Sequence, residues 1–514
     1  KPGEGRKLLM FSDSRQAAAF FAPYLSDTYR RIQRRRLVYQ GLERAGAGSA
    51  PVSTQDVVAH ARTMADQARL FHRRDSSQDQ ERAVAPWVMA EAVAVDDRQS
   101  LEGVGLLRLT LDRDPAWTAP GPLLSLGLSD EEAWDLLGEL VRSLRQQGAL
   151  TMPDDVPANH EIFSPRLGPI YVRGEGPEPT RKVLSWLPGR GTNRRVDYVT
   201  KVLRALGSHA HPDDLLRGMW RFLTSQSIDW LARSTPRGLG EVRQVDHELL
   251  RFAIVSAASP AFRCTTCSRV APVSVRGICP AMGCSGRLER FVPPTSGDLD
   301  HYRSLYTAMT PVPLTAVEHT AQWLNTEAAK IQQEFIRGDV NALSCSTTFE
   351  LGVDVGELQA VMLRNVPPST ANYVQRAGRA GRRASAAALV VTYAQRRSHD
   401  LTHFADPMAL MSGTVRAPYV PLENPRIAVR HVYSVAMSAF FRWDLATNHR
   451  MSRTAGDFFL GSDAQEASVH SVRTFLTPVS PEVKASVSRI LPASVRSAAG
   501  VEDDSWVTGL LDLL

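Results

Sequence analysis

Residues 342–383 constrain the fold of this chain more than any other stretch. Two short, largely apolar runs, Ala342–Ser346 and Ala360–Leu363, read as buried strands. Beyond them Tyr373–Ala377 reads as a short helix that ends where glycines begin. Gln375-Arg376-Ala377-Gly378-Arg379-Ala380-Gly381-Arg382 places three arginines and two glycines within eight residues. The glycines let the backbone turn tightly and approach a partner closely. Arginines held on such a turn suit a phosphate, because guanidinium is always charged and grips an oxyanion through a bidentate fork. The alternative, a solvated basic loop, fits the flanking strands poorly.

The segment resembles motifs V and VI of superfamily 2 helicases, motors whose two RecA-like lobes bind ATP in the cleft between them. Gln375–Arg382 is similar to their Q-x-x-G-R-x-G-R motif. The resemblance implies that Gln375 and Arg376 face the nucleotide and that Arg379 and Arg382 reach the γ-phosphate. Leu351-Gly352-Val353-Asp354 matches motif V, which implies nucleotide-binding roles for Gly352 and Asp354, the aspartate helping to couple nucleotide to nucleic acid. Thr347 falls at the motif V threonine that contacts the nucleic-acid backbone. Leu8–Arg15 looks like motif IV, an apolar strand ending in a polar loop, which implies strand contacts from Ser12 and Arg15. Glu318-His319-Thr320 and a helix over Asn325–Ile336 resemble the element between motifs IV and V.

Other motor motifs are missing from the sequence. ATP hydrolysis of this class needs G-x-x-x-x-G-K-[ST], whose amides cradle phosphates while Lys and Ser/Thr serve the terminal phosphate and magnesium. None of the six lysines sits in such a turn, and no D-E-x-H or D-E-x-D box occurs. The expectation is a second motor lobe that shares ATP and Mg with a first lobe elsewhere, separated by cloning, proteolysis or gene organisation. Alone it should be inactive.

The formal charge of +6 and pI near 9.1 are compatible with a polyanionic partner. No signal peptide or membrane span is apparent, because the longest apolar stretch, Ala83–Val95, is broken by Pro86 and Glu91. Five cysteines in 514 residues argue against a disulfide framework and for a cytoplasmic protein. Four of them cluster as Cys264-x2-Cys267-x11-Cys279-x4-Cys284, a spacing suited to one structural zinc with every ligand position filled. Unconnected core cysteines are the alternative. Cys345, alone on a strand, reads as a small buried hydrophobe.

Between motif IV and the cysteines the pattern looks largely helical. A long helix from Ser14 towards Ala45 carries Arg30, Arg31, Arg34, Arg35 and Arg36, either a phosphate-tracking face or a solvated one. Ser129-x-x-Glu132 is a capping box for a helix with Ala133, Leu136, Leu137, Leu140 and Leu144 on one face. Ala149–Met152 and Ile162–Val172 then suggest a two-stranded wing, hence a winged helix or a plain packing domain. Thr192–Val255 reads as three helices, with His209 and His211 as capping or solvated residues.

The expected fold is α/β: a RecA-like parallel-sheet lobe split by a large, mainly helical insertion containing the four-cysteine zinc element. The boundaries read as 1–45 (motif IV and long helix), 46–190 (helical insertion), 191–296 (helical segment and zinc element), 297–412 (motifs V and VI) and 413–514 (helical). The order of parts, with Asn365-Val366-Pro367-Pro368 before motif VI, resembles large bacterial helicases of phage-defence systems such as DISARM and Druantia and related DNA-repair helicases. That resemblance implies DNA rather than RNA as the strand, and defence or repair proteins as partners. Many of that group carry a further four-cysteine domain. No cysteine follows Cys345 here, so the expectation includes an end missing from this chain or a distinct subgroup. The competing class is a non-enzymatic, helicase-derived zinc scaffold that binds nucleic acid or protein without ATP.

Overall fold

A computed structural model describes residues 2–94, 98–178, 180, 182–293, 301–320, 323–346, 358–381, 388–414, 423–461 and 466–514. The chain divides into two compact units, Lys1–Ser412 and Gly413–Leu514.

The first unit is built on a five-stranded sheet. Its strands are β1 (Leu8–Phe11), β2 (Ala316–His319), β3 (Ala342–Cys345), β4 (Ala360–Leu363) and β5 (Leu389–Thr392). They lie in the order β2-β3-β1-β4-β5, every pair parallel, with Leu8 beside both Ala342 and Ala360. Parallel sheets are covered on both faces, which is why the central strands are short apolar runs without alternation. Leu9, Phe11, Leu343, Cys345, Val361 and Leu363 are buried with Phe335 of helix α2 (Asn325–Arg337). Burial pushes the Cys345 thiol well above its ordinary value, as expected for a small core side chain. The long helix α1 (Arg15–Arg44) leaves β1 directly, capped by Ser14 Oγ, which accepts from Ala17 N at 3.2 Å.

Two central neighbours of the sheet, β1 and β3, are 330 residues apart in sequence, and most of the intervening chain forms the insertion. Among the described residues it contains five α-helices of twelve or more residues between Thr54 and Leu223, together with three sheets. Here the structure corrects the helical reading. Thr192–Val255 holds two helices, Arg194–Ala205 and Pro212–Leu223, followed by strands Leu231–Ser234, Val242–Val245 and Leu250–Ile254. Pro236, Gly238 and Gly240 break any helix there, the two glycines at φ 81° and 70°, and the chain turns back as a hairpin. The two-stranded wing is also absent among the described residues. Leu150 makes one bridge to Val245, Glu161–Phe163 is a 3-10 turn, and Tyr171–Gly176 joins a four-stranded sheet. The capping box at Ser129 and Glu132 is present and starts the helix Asp130–Arg145, whose inner face supplies Leu136, Leu137, Leu140 and Leu144 to the core.

This helix also carries charge into the core. Arg142 Nε donates to Glu102 at 2.9 Å, Arg142 NH1 to Glu139 at 2.9 Å, and Arg145 NH2 to Glu102 at 2.8 Å, all buried. Burial works against the ionised Glu102, but the two guanidiniums overcome it and hold the carboxyl at about 2. Its folded value lies below the unfolded one, so the stabilisation is present above about 4.5 and is lost as pH falls towards about 2. Glu102→Gln should therefore cost about 3–5 kcal/mol near neutral pH, because it takes the carboxylate from buried Arg145 and one of the two from buried Arg142. Urea unfolding of variant and parent should converge as pH falls through that window. A pH-independent gap would remove the ionised carboxylate from this role.

The second unit is helical among the described residues. Helix Pro425–Asn448 is started by Asn424, whose Oδ1 accepts from Arg426 N at 3.0 Å. It packs Val432, Ala436 and Phe440 against Phe458, Leu476 and Trp506.

Candidate functional site

The candidate site lies at the carboxyl ends of three adjacent strands, β3, β1 and β4, where open α/β sheets place their ligands. The motif IV loop follows β1, motif V follows β3, and Arg364–Pro368 follows β4.

The loop after β1 is tied to the segment after β4. Asp13 N donates to Asn365 Oδ1 at 3.2 Å, and Asn365 Nδ2 returns a bond to Asp13 Oδ2. Val366 N donates to Asp400 Oδ2 at 3.1 Å, and Gln395 N donates to the same oxygen at 2.9 Å. Pro367 and Pro368 then lead to Ser369, whose Oγ accepts from Asn372 N and caps helix α3 (Thr370–Ala377). Arg376 on α3 reaches back to Asp13, and its guanidinium carbon lies 5.7 Å from the Phe11 ring centroid.

That last contact corrects an expectation. Arg376 was read as nucleotide-facing, yet it is 1% exposed and paired with Asp13, so it locks the motif VI helix to the motif IV loop. Ser12, read as a strand contact, is 4% exposed with its N–H bonded to Cys345 O at 3.0 Å, whereas Arg15 stands open to solvent. Gln375 is exposed, and Arg379 is buried at the turn beyond α3. The two glycines there differ in purpose. A Cβ at Gly378 would come within 2.9 Å of Val374 O, a close backbone approach, while Gly381 takes φ 71° and donates its N–H to Leu358 O at 3.0 Å. Thr347, Gly352, Asp354 and Arg382 lie outside the described residues. Asp13 and Asp400 escaped the sequence reading. The available signal was a carboxylate two residues past the β1 strand, facing the Asn-Val-Pro-Pro segment.

The arginines of α1 do not share one environment. Arg35 is buried, with Nε 2.8 Å from Glu91 and NH1 3.2 Å from Tyr306 Oη. Arg36 NH1 donates to Tyr306 O at 3.4 Å, and Arg34 lies 5.6 Å from the Trp87 ring centroid. These three fasten α1 to the insertion. Arg30 and Arg31 are the exposed members.

A second site is built in the insertion. Cys264 and Cys284 Sγ are 3.7 Å apart, Cys267 and Cys279 Sγ 3.6 Å, and all four lie within 4.8 Å of one another. A tetrahedron with metal–sulfur bonds of about 2.3 Å has sulfur–sulfur edges of about 3.8 Å, so the set can hold one metal ion. Thr266 N and Gly286 N each point at a sulfur at 3.4 Å. A Cβ at Gly286 would lie 2.5 Å from Cys264 Sγ, so that position excludes any side chain. Lys201 Nζ donates to Ala281 O at 2.8 Å and Cys284 O at 3.2 Å, and Arg142 NH2 to Val270 O at 3.2 Å, which stitches the element to the helices beside it.

Residues 298–384 match the family described as the helicase conserved C-terminal domain. Over 222 residues, 38% of this chain and 12% of the relative, the sequence is 35% identical to the Druantia protein DruE of Escherichia coli. Over 122 residues, 24% of this chain and 16% of the relative, it is 30% identical to the uncharacterized ATP-dependent helicase YprA of Bacillus subtilis. The chain thus spans a small part of each relative. Among solved structures, the DUF1998 helicase MrfA bound to DNA and AMPPNP is similar at 28% identity, over 25% of this chain and 18% of that one, with a TM-score of 0.23. No helix among the described residues is long and apolar enough to cross a membrane.

Proposed function

We propose that this chain carries the C-terminal, second RecA-like lobe of a superfamily 2 helicase and works as half of an ATP-dependent translocase on single-stranded DNA. The observation that carries the reading is the bond set joining Asp13, Asn365 and Arg376, which holds the motif IV and motif VI elements together at the ends of β1 and β4. A rigid edge of this kind is what a partner lobe must close against. ATP and Mg would sit between this lobe and one that supplies a Walker lysine. Gln375 would face the nucleotide, and Arg379 and Arg382 would balance charge on the transferring phosphoryl group. Gly352 and Asp354 would couple nucleotide state to the strand, which Thr347 and Arg15 would hold by its phosphates. Closure around ATP and reopening after hydrolysis would step the strand. The four cysteines would hold a structural zinc. The likeness to a Druantia protein favours a setting in anti-phage defence, with further defence proteins as partners.

The isolated chain should hydrolyse no ATP. Joined to a first lobe with a Walker lysine, it should do so, stimulated by single-stranded DNA. A complete, folded two-lobe protein without that stimulation would favour the zinc-scaffold reading instead.

Strand contacts should be mainly to phosphates, so affinity should fall steeply with salt. Arg15→Ala should reduce the slope of log affinity against log salt by about 0.7, one single-strand phosphate contact. Because Arg35 is internal, the α1 face is tested at Arg30 and Arg31. Reversing both to Glu should flatten the slope further if the strand runs along α1. An unchanged slope in anisotropy titrations would take α1 off the path and leave the lobe assignment intact.

A further inference from the structure

A cavity of about 180 Å³ lies in the insertion between the helix Asp130–Arg145 and the strand Leu107–Leu111. None of its lining residues belongs to the parallel-sheet lobe, and nothing in the motor reading uses it.

Three observations mark it as a built site. The first is an unanswered donor. Trp134 lines the cavity, is 5% exposed, and its Nε1–H has no acceptor. Its neighbour Trp230, 5.3 Å away between ring centroids, donates to Asp112 O at 2.6 Å, and Trp186 donates to Leu216 O at 2.8 Å. An indole N–H buried without a partner costs about 1–3 kcal/mol, and this one is sealed in the wall, so a small turn of the ring brings it to the cavity.

The second is the carboxylate next to it. Asp135 lines the same cavity, and its carboxylate makes no hydrogen bond or ion pair among the described residues. Burial, reinforced by Glu131, Glu132 and Glu139 and opposed by Arg108, pushes its carboxyl up to about 6. Arg108, also on the wall, is held by Pro272 O at 3.0 Å and Ser259 Oγ at 3.2 Å, which fixes its guanidinium beside the cavity.

The third is a glycine. Gly138 sits one turn after Trp134 on the same helix face and lines the cavity. A Cβ there would meet no heavy atom within 4 Å. Glycine inside a helix costs about 0.5–1 kcal/mol relative to alanine, and no neighbour requires it. Its effect is to keep the space open.

We propose that this cavity binds a nucleobase. The flat ring would lie among Trp134, Trp230 and the aliphatic wall of Leu109, Val141 and Leu250, accept a hydrogen bond from Trp134 Nε1–H and donate one to Asp135. A planar heterocycle that combines an acceptor and a donor with an apolar face is what those groups match, and stacking on aromatic side chains is how unpaired bases are held. Arg113, with its guanidinium carbon 5.2 Å from the Trp134 ring centroid, stands at the wall as a cation for an attached phosphate. The base could come from a free nucleoside or from a strand that splays it out. Only the second source rests on the translocase reading.

The test uses the full chain and calorimetric titration with each of the four nucleosides. It adds a single-stranded oligonucleotide and the same strand with abasic positions. At least one nucleoside should bind saturably. Gly138→Leu projects a side chain into the space from a position where a Cβ meets nothing within 4 Å, and it suits a helix better, so it should weaken that binding about tenfold or more, the worth of roughly one good contact. Its melting temperature should be unchanged or raised. Trp134→Phe, which keeps the ring and removes the N–H, should weaken binding while leaving the fold intact. If the abasic strand binds more weakly than the parent strand and Gly138→Leu abolishes that difference, the base comes from the strand. If nucleosides bind but abasic positions make no difference, the cavity takes free nucleosides. The proposal is overturned if no nucleoside binds and abasic positions make no difference, or if Gly138→Leu binds nucleosides as the parent does. ATP hydrolysis does not enter these readouts, so failure here and failure of the motor reading are separate results.

Discussion

Replacing Arg379 by alanine, in a protein that also carries the ATP-cradling lobe, should lower turnover by roughly 10³-fold or more, as loss of a charge-stabilising arginine does in phosphoryl transfer. The chemistry needs positive charge where the γ-phosphoryl group develops negative charge, and a shortened side chain cannot supply it. The neighbouring arginine is the control. Arg376 is 1% exposed and engages Asp13, so Arg376→Ala should lower the melting temperature, with turnover falling because the lobe loosens. Arg379→Ala should act on kcat beyond anything its change in melting temperature explains. Near-normal turnover in Arg379→Ala would take this residue out of the role, and equal loss of stability in both variants would make both structural.

Removing the metal should have the largest effect on folding. Binding of structural zinc by cysteine-rich peptides is worth about 10–16 kcal/mol near neutral pH. The small core around the four cysteines, Ala271 and Leu288 has little else to hold it. We expect one zinc per chain in freshly purified protein. Cys264→Ser or chelation should release it and unfold residues 261–291. The damage should spread into the insertion, because Arg142, Lys201 and Arg108 all donate to carbonyls of that element. The parallel sheet has a separate core and should keep its protection in hydrogen exchange. Absence of metal, or unchanged exchange over residues 261–291 after chelation, would rule the centre out.

The lobe was legible where local pattern and final environment agree. Ala342–Cys345 and Ala360–Leu363 lie inside a parallel sheet, so their apolar runs are also their burial. The cysteine spacing was legible because two short turns bring each pair together whatever surrounds them. Sequence reasoning failed where a residue's partner is remote. The run Arg30–Arg36 gives no sign that Arg35 finds Glu91 and Tyr306, 56 and 271 residues away, while Arg30 and Arg31 stay in water. Leu231–Ile254 carried its turn signals in Pro236, Gly238 and Gly240, but its strands are short, and two of the three also pair with residues far along the chain.

What the sequence determined by itself is therefore chemical type: an arginine–glycine turn suited to phosphate, four thiols spaced for one metal, and apolar runs that must lie in a sheet. Those depend on residue identity and on spacings of a few bonds. Which arginine becomes a strut was decided by the tertiary structure. Arg376 is a strut, where Arg15 stays in water, because Asp13, 363 residues away on the neighbouring strand end, comes within reach of its guanidinium. A guanidinium has the same charge in either place. Its role depends on whether the fold brings a carboxylate within hydrogen-bonding distance, and that distance is set only when β1 and β4 pair.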